Sequence, residues 1–327
     1  MAAMLEIVLP MLSAAIVTVL GLRVLLNKPD WVPLDHPNAR SLHENPTPRI
    51  GGLGMLAGVL PALLWAPVSA LRLPLGLALA LALVSLADDY LDLKAAYRFL
   101  AHGLAAAAFV GVGLDQPLGI SLALWLLIVW MTNLYNFMDG ADGLAGGMAV
   151  VGFGAYGLAA WLGGATNLAA VNWTIAAAAL GFLCFNFPPA RVFMGDVGSI
   201  PLGFLAGALG TLGWAQQIWP AWFPVLVFSS FLVDASVTLV RRGLRGEKIW
   251  QAHKSHYYQR LVRLGLTHRQ LALLEYGLML ASAASGLWVL YRRPAAWLAL
   301  IVAWAIAYIL LGLALDAHWK NKHGHGL

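Results

Sequence analysis

"LPLGLALALALVSLADDYLDLK", residues 73–94, decides the fold. Its first fifteen residues carry no charge; its last seven hold Asp88, Asp89, Asp92 and Lys94. An apolar run followed at once by a knot of charge reads as a membrane helix emerging into water. Adjacent carboxylates repel, and a helix C-terminus is already the negative end of the macrodipole. Three acids there are costly unless a cation joins them. Mg²⁺ favours hard oxygen ligands and bridges one or two carboxylates to phosphates. The alternative is an acidic, solvated turn that stops the helix.

The rest of the chain repeats the pattern. Of 327 residues, 61% are hydrophobic and 11% charged, and mean hydropathy is +0.76. A soluble domain is roughly 25% charged, so lipid is the solvent here. The expected fold is all-α: a single polytopic membrane domain over 1–327, with no attached soluble domain and no clear internal repeat. Eleven spans are predicted, near 4–26, 51–69, 73–87, 97–113, 117–133, 144–163, 170–186, 199–214, 219–240, 271–290 and 296–316. The first reads as a retained helix, because no basic stretch precedes it. Lys and Arg gather in 241–270, whereas the opposite side holds only Arg72, Arg292 and Arg293. By the positive-inside rule the N-terminus is outside and the C-terminus inside. The loops 27–50, 88–96, 134–143, 187–198 and 241–270 are then cytoplasmic. The pI near 9.4 reports this topology and needs no nucleic acid to explain it. Cys184, the sole cysteine, can make no internal disulfide.

Four further polar stretches fall on the predicted cytoplasmic side. "NLYNFMDGADGLAGG", 133–147, spaces Asn133, Asn136, Asp139 and Asp142 by three, so they line one side of a helical turn. That suits a polar ligand such as a nucleotide; the alternative is a polar loop with Asp142 as a cap. "FNFPPARVFMGDVGS" places Asn186 at a helix end, then Phe193 and Asp196 before the next helix. Phe193 offers a flat face for a base, or else an interface anchor. Asp196 is a ligand or a helix cap. The basic loop holds His253, His256 and Arg260, a set that suits diphosphate oxygens better than zinc. "DHPNARSLHENPTPRIGGLG", 35–54, is an irregular Pro-rich loop with His43 and Arg49 as phosphate contacts. Gly51, Gly52 and Gly54 open the next helix, whose N-terminal amides attract anions.

Taken in order, "PTPRIGG", "DDYLD", "NLYNFMDGADGL", "NFPPARVFMGDVGS" and "HKSHYYQRL" resemble the motifs of the polyprenyl-phosphate N-acetylhexosamine-1-phosphate transferases, over nearly the whole chain. The "DHPNARSLH" and "HKSHYYQRL" stretches look most like the branch that starts O-antigen or other surface polysaccharide. The run of adjacent histidines of the peptidoglycan branch is missing, which argues against a muramyl-pentapeptide substrate. The resemblance implies an enzyme of the bacterial inner membrane. It joins a UDP-N-acetylhexosamine to polyprenyl (undecaprenyl) phosphate, gives polyprenyl diphosphate-sugar and UMP, and requires Mg²⁺, with Mn²⁺ as a substitute. By the same resemblance Asp89 and Asp196 hold the metal, and Asp88, Asp89 and Asp139 form the catalytic set, with Asp88 as base. Asn133, Asn136, Asp142, Asn186 and Phe193 line the nucleotide site. His253, His256, Arg260, His43 and Arg49 meet diphosphate and sugar. Partners are the UDP-sugar, polyprenyl phosphate and membrane lipids, with a homodimer as the assembly to test. Direct attack is preferred to a covalent aspartyl step. Two other classes compete: a CDP-alcohol phosphotransferase, whose further spaced aspartates are missing, and a lipid-linked sugar transporter, for which Glu6, Asp234 and Glu275 are the few mid-helix charges.

Overall fold

A computed structural model describes residues 2–27, 32–37, 42, 45–65, 69–248 and 253–323. The fold is a helical bundle: α1 (Ala2–Leu26), α2 (Gly51–Trp65), α3 (Ser69–Leu91), α4 (Ala95–Gly113), α5 (Leu118–Met138), α6 (Leu144–Leu162), α7 (Thr166–Asn186), α8 (Asp196–Ala215), α9 (Trp222–Val227), α10 (Ser229–Leu244), α11 (Tyr257–Arg263), α12 (His268–Arg292) and α13 (Trp297–His323). Helices are the natural form for such runs, because in lipid each backbone amide must be satisfied within its own segment. The one described sheet is a two-residue antiparallel pair, β1 (Leu34–Asp35) against β2 (Thr47–Pro48), in the loop predicted to be irregular. Among the described residues nine helices are long and apolar enough to cross a membrane, and α2 adds a shorter apolar stretch. The protein is multi-pass.

Two predicted spans differ in form. The run at 73–87 extends to Ser69–Leu91, so Asp88 and Asp89 belong to the last turn of α3 and not to a loop. The run at 219–240 is not one helix. It breaks at Phe228, whose ψ of 15° leaves helical geometry between α9 and α10. The ring of Phe228 is wedged beside α6: a Cβ on Gly152 would lie 2.4 Å from it, and Tyr156 meets it edge-on at 5.3 Å.

The central shaft is α8, buried along almost its whole length by α3, α5, α2 and α6. Small residues permit that position. A Cβ on Gly203 would stand 2.7 Å from the Met131 carbonyl of α5. Where α2 and α8 begin their backbones come close through Gly52 and Gly198: a Cβ on Gly52 would collide with the Gly198 nitrogen. By contrast, none of the apolar window of α13 is buried within the chain, so lipid is its natural neighbour.

Candidate active site

The ends of α3, α5 and α7 and the starts of α2, α4, α8 and α12 meet at one end of the bundle, and the acids meet with them. The chain leaves α3 through Asp92, held at φ 47°, and its amide closes on the Asp88 carbonyl. Asp88 then accepts the Leu93 amide at 2.8 Å and Arg98 at 2.9 Å. The same Arg98 nitrogen lies 3.5 Å from Asp196. One guanidinium from α4 therefore joins carboxylates that stand 108 positions apart as residues 88 and 196. Asp89 sits within electrostatic reach of Arg49, Asp196 and Asp88. Asp139, just past α5, accepts the Gly195 amide and faces Asp196, Arg49 and Asp35. Burial, and then the Asp196 charge, push its carboxyl well above the usual carboxylate range.

Backbone pairing holds this cluster together. The amide of Phe193 donates to the Pro48 carbonyl at 2.8 Å; the amides of Gly51 and Gly52 donate to the carbonyls of Phe193 and Met194 at 2.9 and 2.8 Å. The amides of Gly51 and Gly52 at the start of α2, expected to attract an anion, are thus already engaged by the carbonyls of Phe193 and Met194. Gly195 precedes α8 at φ 71°, a left-handed position that favours glycine. It is the N-cap; Asp196 is the first helical residue and turns its carboxylate to Arg98. Asp196 is therefore not the N-cap of α8.

Not every predicted residue faces the acids. Asn136 accepts the Ser199 hydroxyl at 2.7 Å and ties α5 to α8. Asn133 bonds the Val129 carbonyl at 2.7 Å and meets His102 of α4 at 3.2 Å. Asn186 is buried and fully engaged: its oxygen takes the Gly143 amide and its nitrogen donates to the Val192 carbonyl, both at 2.9 Å. Asp142 accepts the Ala190 amide at 3.0 Å and meets His268 at 3.1 Å. Asn186 and Asp142 thus tie the turn after α5 to the segment after α7, and Asn133 ties α5 to α4. Phe193 is partly exposed. His43 lies outside the described residues.

The basic loop closes over the next corner. Tyr258 donates to the Phe137 carbonyl at 3.1 Å, and Gly140 leaves room for its hydroxyl. His256 stacks on Phe137, two residues from Asp139. His253 leans on His256 with ring centres 4.8 Å apart. Arg260 departs from expectation. It is buried, paired with Asp316 of α13 at 2.7 Å and set between the rings of Tyr257 and Trp319. A guanidinium so enclosed is a packing element of this loop.

The profile described as glycosyl transferase family 4 matches residues 71–213. A Bacillus subtilis protein named probable undecaprenyl-phosphate N-acetylglucosaminyl 1-phosphate transferase is 30% identical over 82% of this chain and 80% of its own length. The decaprenyl-phosphate N-acetylglucosaminephosphotransferase of Mycolicibacterium smegmatis is 34% identical over 86% and 82%. The chain belongs to the polyprenyl-phosphate N-acetylhexosamine-1-phosphate transferase family.

A relative from another branch of that family, the phospho-N-acetylmuramoyl-pentapeptide-transferase of Symbiobacterium thermophilum, is also 34% identical, over 73% of this chain and 81% of its own. Identity alone does not separate the branches. In this transferase the matched region 71–213 holds Asp88, Asp89, Asp139 and Asp196, whereas the histidine loop and "PTPRIGG" lie outside it. Two residues of the site had no signal in the sequence reading. Arg98 is one basic residue in the first turn of a helix, and His268 opens α12 after a Thr267 cap. Only the fold shows that each faces an acid from another element.

Proposed function

We propose that this transferase moves N-acetylhexosamine-1-phosphate from a UDP-sugar to polyprenyl phosphate, yielding polyprenyl diphosphate-sugar and UMP. The proposed setting is the cytoplasmic face of a bacterial inner membrane, at the start of lipid-linked surface polysaccharide. The names of the relatives favour N-acetylglucosamine as the sugar. The observation that carries the reading is the convergence of Asp88, Asp89, Asp139 and Asp196, with Arg98 and Arg49 among them, at the helix ends. A lipid phosphate anchored in the bilayer and a soluble sugar nucleotide can meet only at such a boundary.

The donor set fits Mg²⁺. Asp88, Asp89 and Asp196 alone outnumber the guanidiniums of Arg98 and Arg49, and Arg49 also lies 3.9 Å from Asp35, so the cluster carries excess negative charge. Among the described residues no three His, Cys, Asp or Glu form a ready-made metal nest. Mg²⁺ does not need one, since it takes one or two carboxylates and completes its shell with water and phosphate. Asp89 and Asp196 would hold it, and it would supply charge neutralisation between the two phosphates. In the reaction an oxygen of the lipid phosphate bonds to the sugar-bearing phosphorus, the bond from that phosphorus to the bridging oxygen breaks, and UMP departs with that oxygen. No residue is needed as a covalent carrier. A phosphate monoester loses its second proton near pH 6, so the demand on a base is small at neutral pH. Asp88, engaged by Leu93 and Arg98, then serves to fix Arg98 over the cluster.

The test is UMP release by purified protein given undecaprenyl phosphate, Mg²⁺ and a panel of UDP-sugars. The reading expects release with a UDP-N-acetylhexosamine and none without the lipid. Release that ignores the lipid would mark a hydrolase instead.

A further inference from the structure

His102 is the one histidine buried among the membrane-spanning helices, and nothing in the transfer chemistry calls for it. Its Nδ1 lies 3.2 Å from Oδ1 of Asn133. The Asn133 nitrogen donates to the Val129 carbonyl at 2.7 Å. A carbonyl only accepts, so that bond fixes which way the amide faces, and Oδ1 is left to accept from the ring. His102 therefore carries a proton on Nδ1. Four positions earlier, one turn along the same side of α4, stands Arg98, which reaches Asp88 at 2.9 Å and Asp196 at 3.5 Å. Three positions after Asn133, Asn136 takes the Ser199 hydroxyl at 2.7 Å. The three bonds close a triangle of helices: His102 joins α4 to α5, Asn136 joins α5 to α8, and Arg98 joins α4 back to α8.

We propose that His102 is a positioning residue for the transfer: through Asn133 it sets the register of α4 on α5, and so where the Arg98 guanidinium stands between Asp88 and Asp196. This rests on the reading of the acid cluster as the transfer site. The packing explains why such a link is needed. α5 and α8 pack along their lengths, whereas α4 rests on α3 and α5 and only lightly on α8. Its outer face, with Leu100, Leu104 and Val112 exposed, meets lipid. Lipid does not distinguish one register from another, so close packing and hydrogen bonds between helices must do so. Trp125 of α5 gives a second bond, to the Gly103 carbonyl at 2.8 Å. It holds α4 on α5 but lies beyond His102 on the side away from Arg98, so the turn that carries Arg98 depends on His102.

The test uses H102L, which fills the space without a donor, and H102N and H102Q, which keep one. UMP release is followed with Mg²⁺ and UDP-sugar varied in turn. H102L is expected to lower kcat about tenfold or more, to raise the Mg²⁺ needed for half the maximal rate, and to leave the donor KM within about threefold. At least one of the two amides should restore kcat to within about threefold of wild type. In an R98Q background H102L should cost less than about twofold more, because its effect runs through Arg98. Gel filtration and thermal melts in detergent accompany each variant. H102L matching wild type, H102L matching both amides, or full additivity with R98Q would each overturn the proposal. A readout independent of turnover is the ¹⁵N spectrum of imidazole-labelled protein, with the His102 ring assigned as the signal that H102N removes. It should show Nδ1 protonated; a proton on Nε2 alone would refute the link whatever the rates. R98Q releasing UMP at the wild-type rate has a different meaning: it would fault the reading of the acid cluster itself, and the proposal would fall with it.

Discussion

His253 shows how far one residue departs from its sequence neighbourhood. Burial, with His256 and Arg242 beside it, lowers its pKa from 6.5 to about 4, against the opposing pull of Glu247 and Asp234. The ring is neutral at physiological pH. In the unfolded chain the same imidazole protonates near 6.5. As pH falls from 6.5 towards 4 the unfolded state gains a proton that the folded state refuses, so stability drops across that window and is flat above it. Thermal melts in detergent at pH 7.5 and pH 5 should show wild type losing more than H253Q, which has no such group. Equal losses would mean that His253 is solvated in the folded protein. The pairing of His253 with His256 was legible as i, i+3 spacing; the carboxylate 3.3 Å from His256 was not, because Asp234 lies nineteen positions before His253 on a helix the sequence merges with α9.

At the element scale, helix positions were easy to read and helix relations were not. Apolar runs announce themselves because lipid tolerates little else. The break at Phe228 has no signature in the sequence because "WFPVLVFSSFLV" is uncharged throughout and hydropathy carries no information on ψ. The place of Arg260 is not encoded locally for a similar reason. A cation in a basic loop can turn to a ligand or into the protein, and its partner Asp316 belongs to the last helix. That contact, with Asp316 also holding Arg241 of α10 at 2.6 Å, fastens the otherwise lipid-facing α13 to the histidine loop. Asp316→Ala leaves the 5% exposed Arg260 without its counter-ion. The expected cost is at the lower end of about 3–5 kcal/mol, since Asp316 itself is partly solvated. Denaturant or thermal melts read it. A change below ~0.5 kcal/mol would place the pair among ordinary surface bridges.

For the whole molecule, the gathering of acids was legible because motif after motif fell at membrane edges of one parity. What charge bias alone left open was whether those loops touch. The fold brings Asp88, Asp89, Asp139 and Asp196 together through Arg98 and through the backbone pairing of Gly51 and Gly52 with Phe193 and Met194. The spacing suggested one stripe for Asn133, Asn136 and Asp142, but α5 ends at Met138 and Asp142 lies in the turn beyond it; each is tied into a different neighbour, a choice no local pattern encodes. The same parity fixes an expected topology. Reporter fusions after residue 265 and at the C-terminus should both report the cytoplasm; a periplasmic signal from the 265 fusion would turn every motif to the wrong compartment.

The central claim is that the acids at this end of the bundle carry out the transfer, and Asp196 tests it most directly. Asp196→Asn keeps the side chain's shape and the Gly195 cap, and removes one negative oxygen from the Arg98 bridge and from the proposed metal. UMP release from a UDP-N-acetylhexosamine should fall by about two to three orders of magnitude, the scale of losing one electrostatic contact to the transition state. The detergent melting temperature should move little. Excess Mg²⁺ or Mn²⁺ should restore part of the rate. Near-native UMP release by Asp196→Asn at ordinary Mg²⁺ would contradict the account.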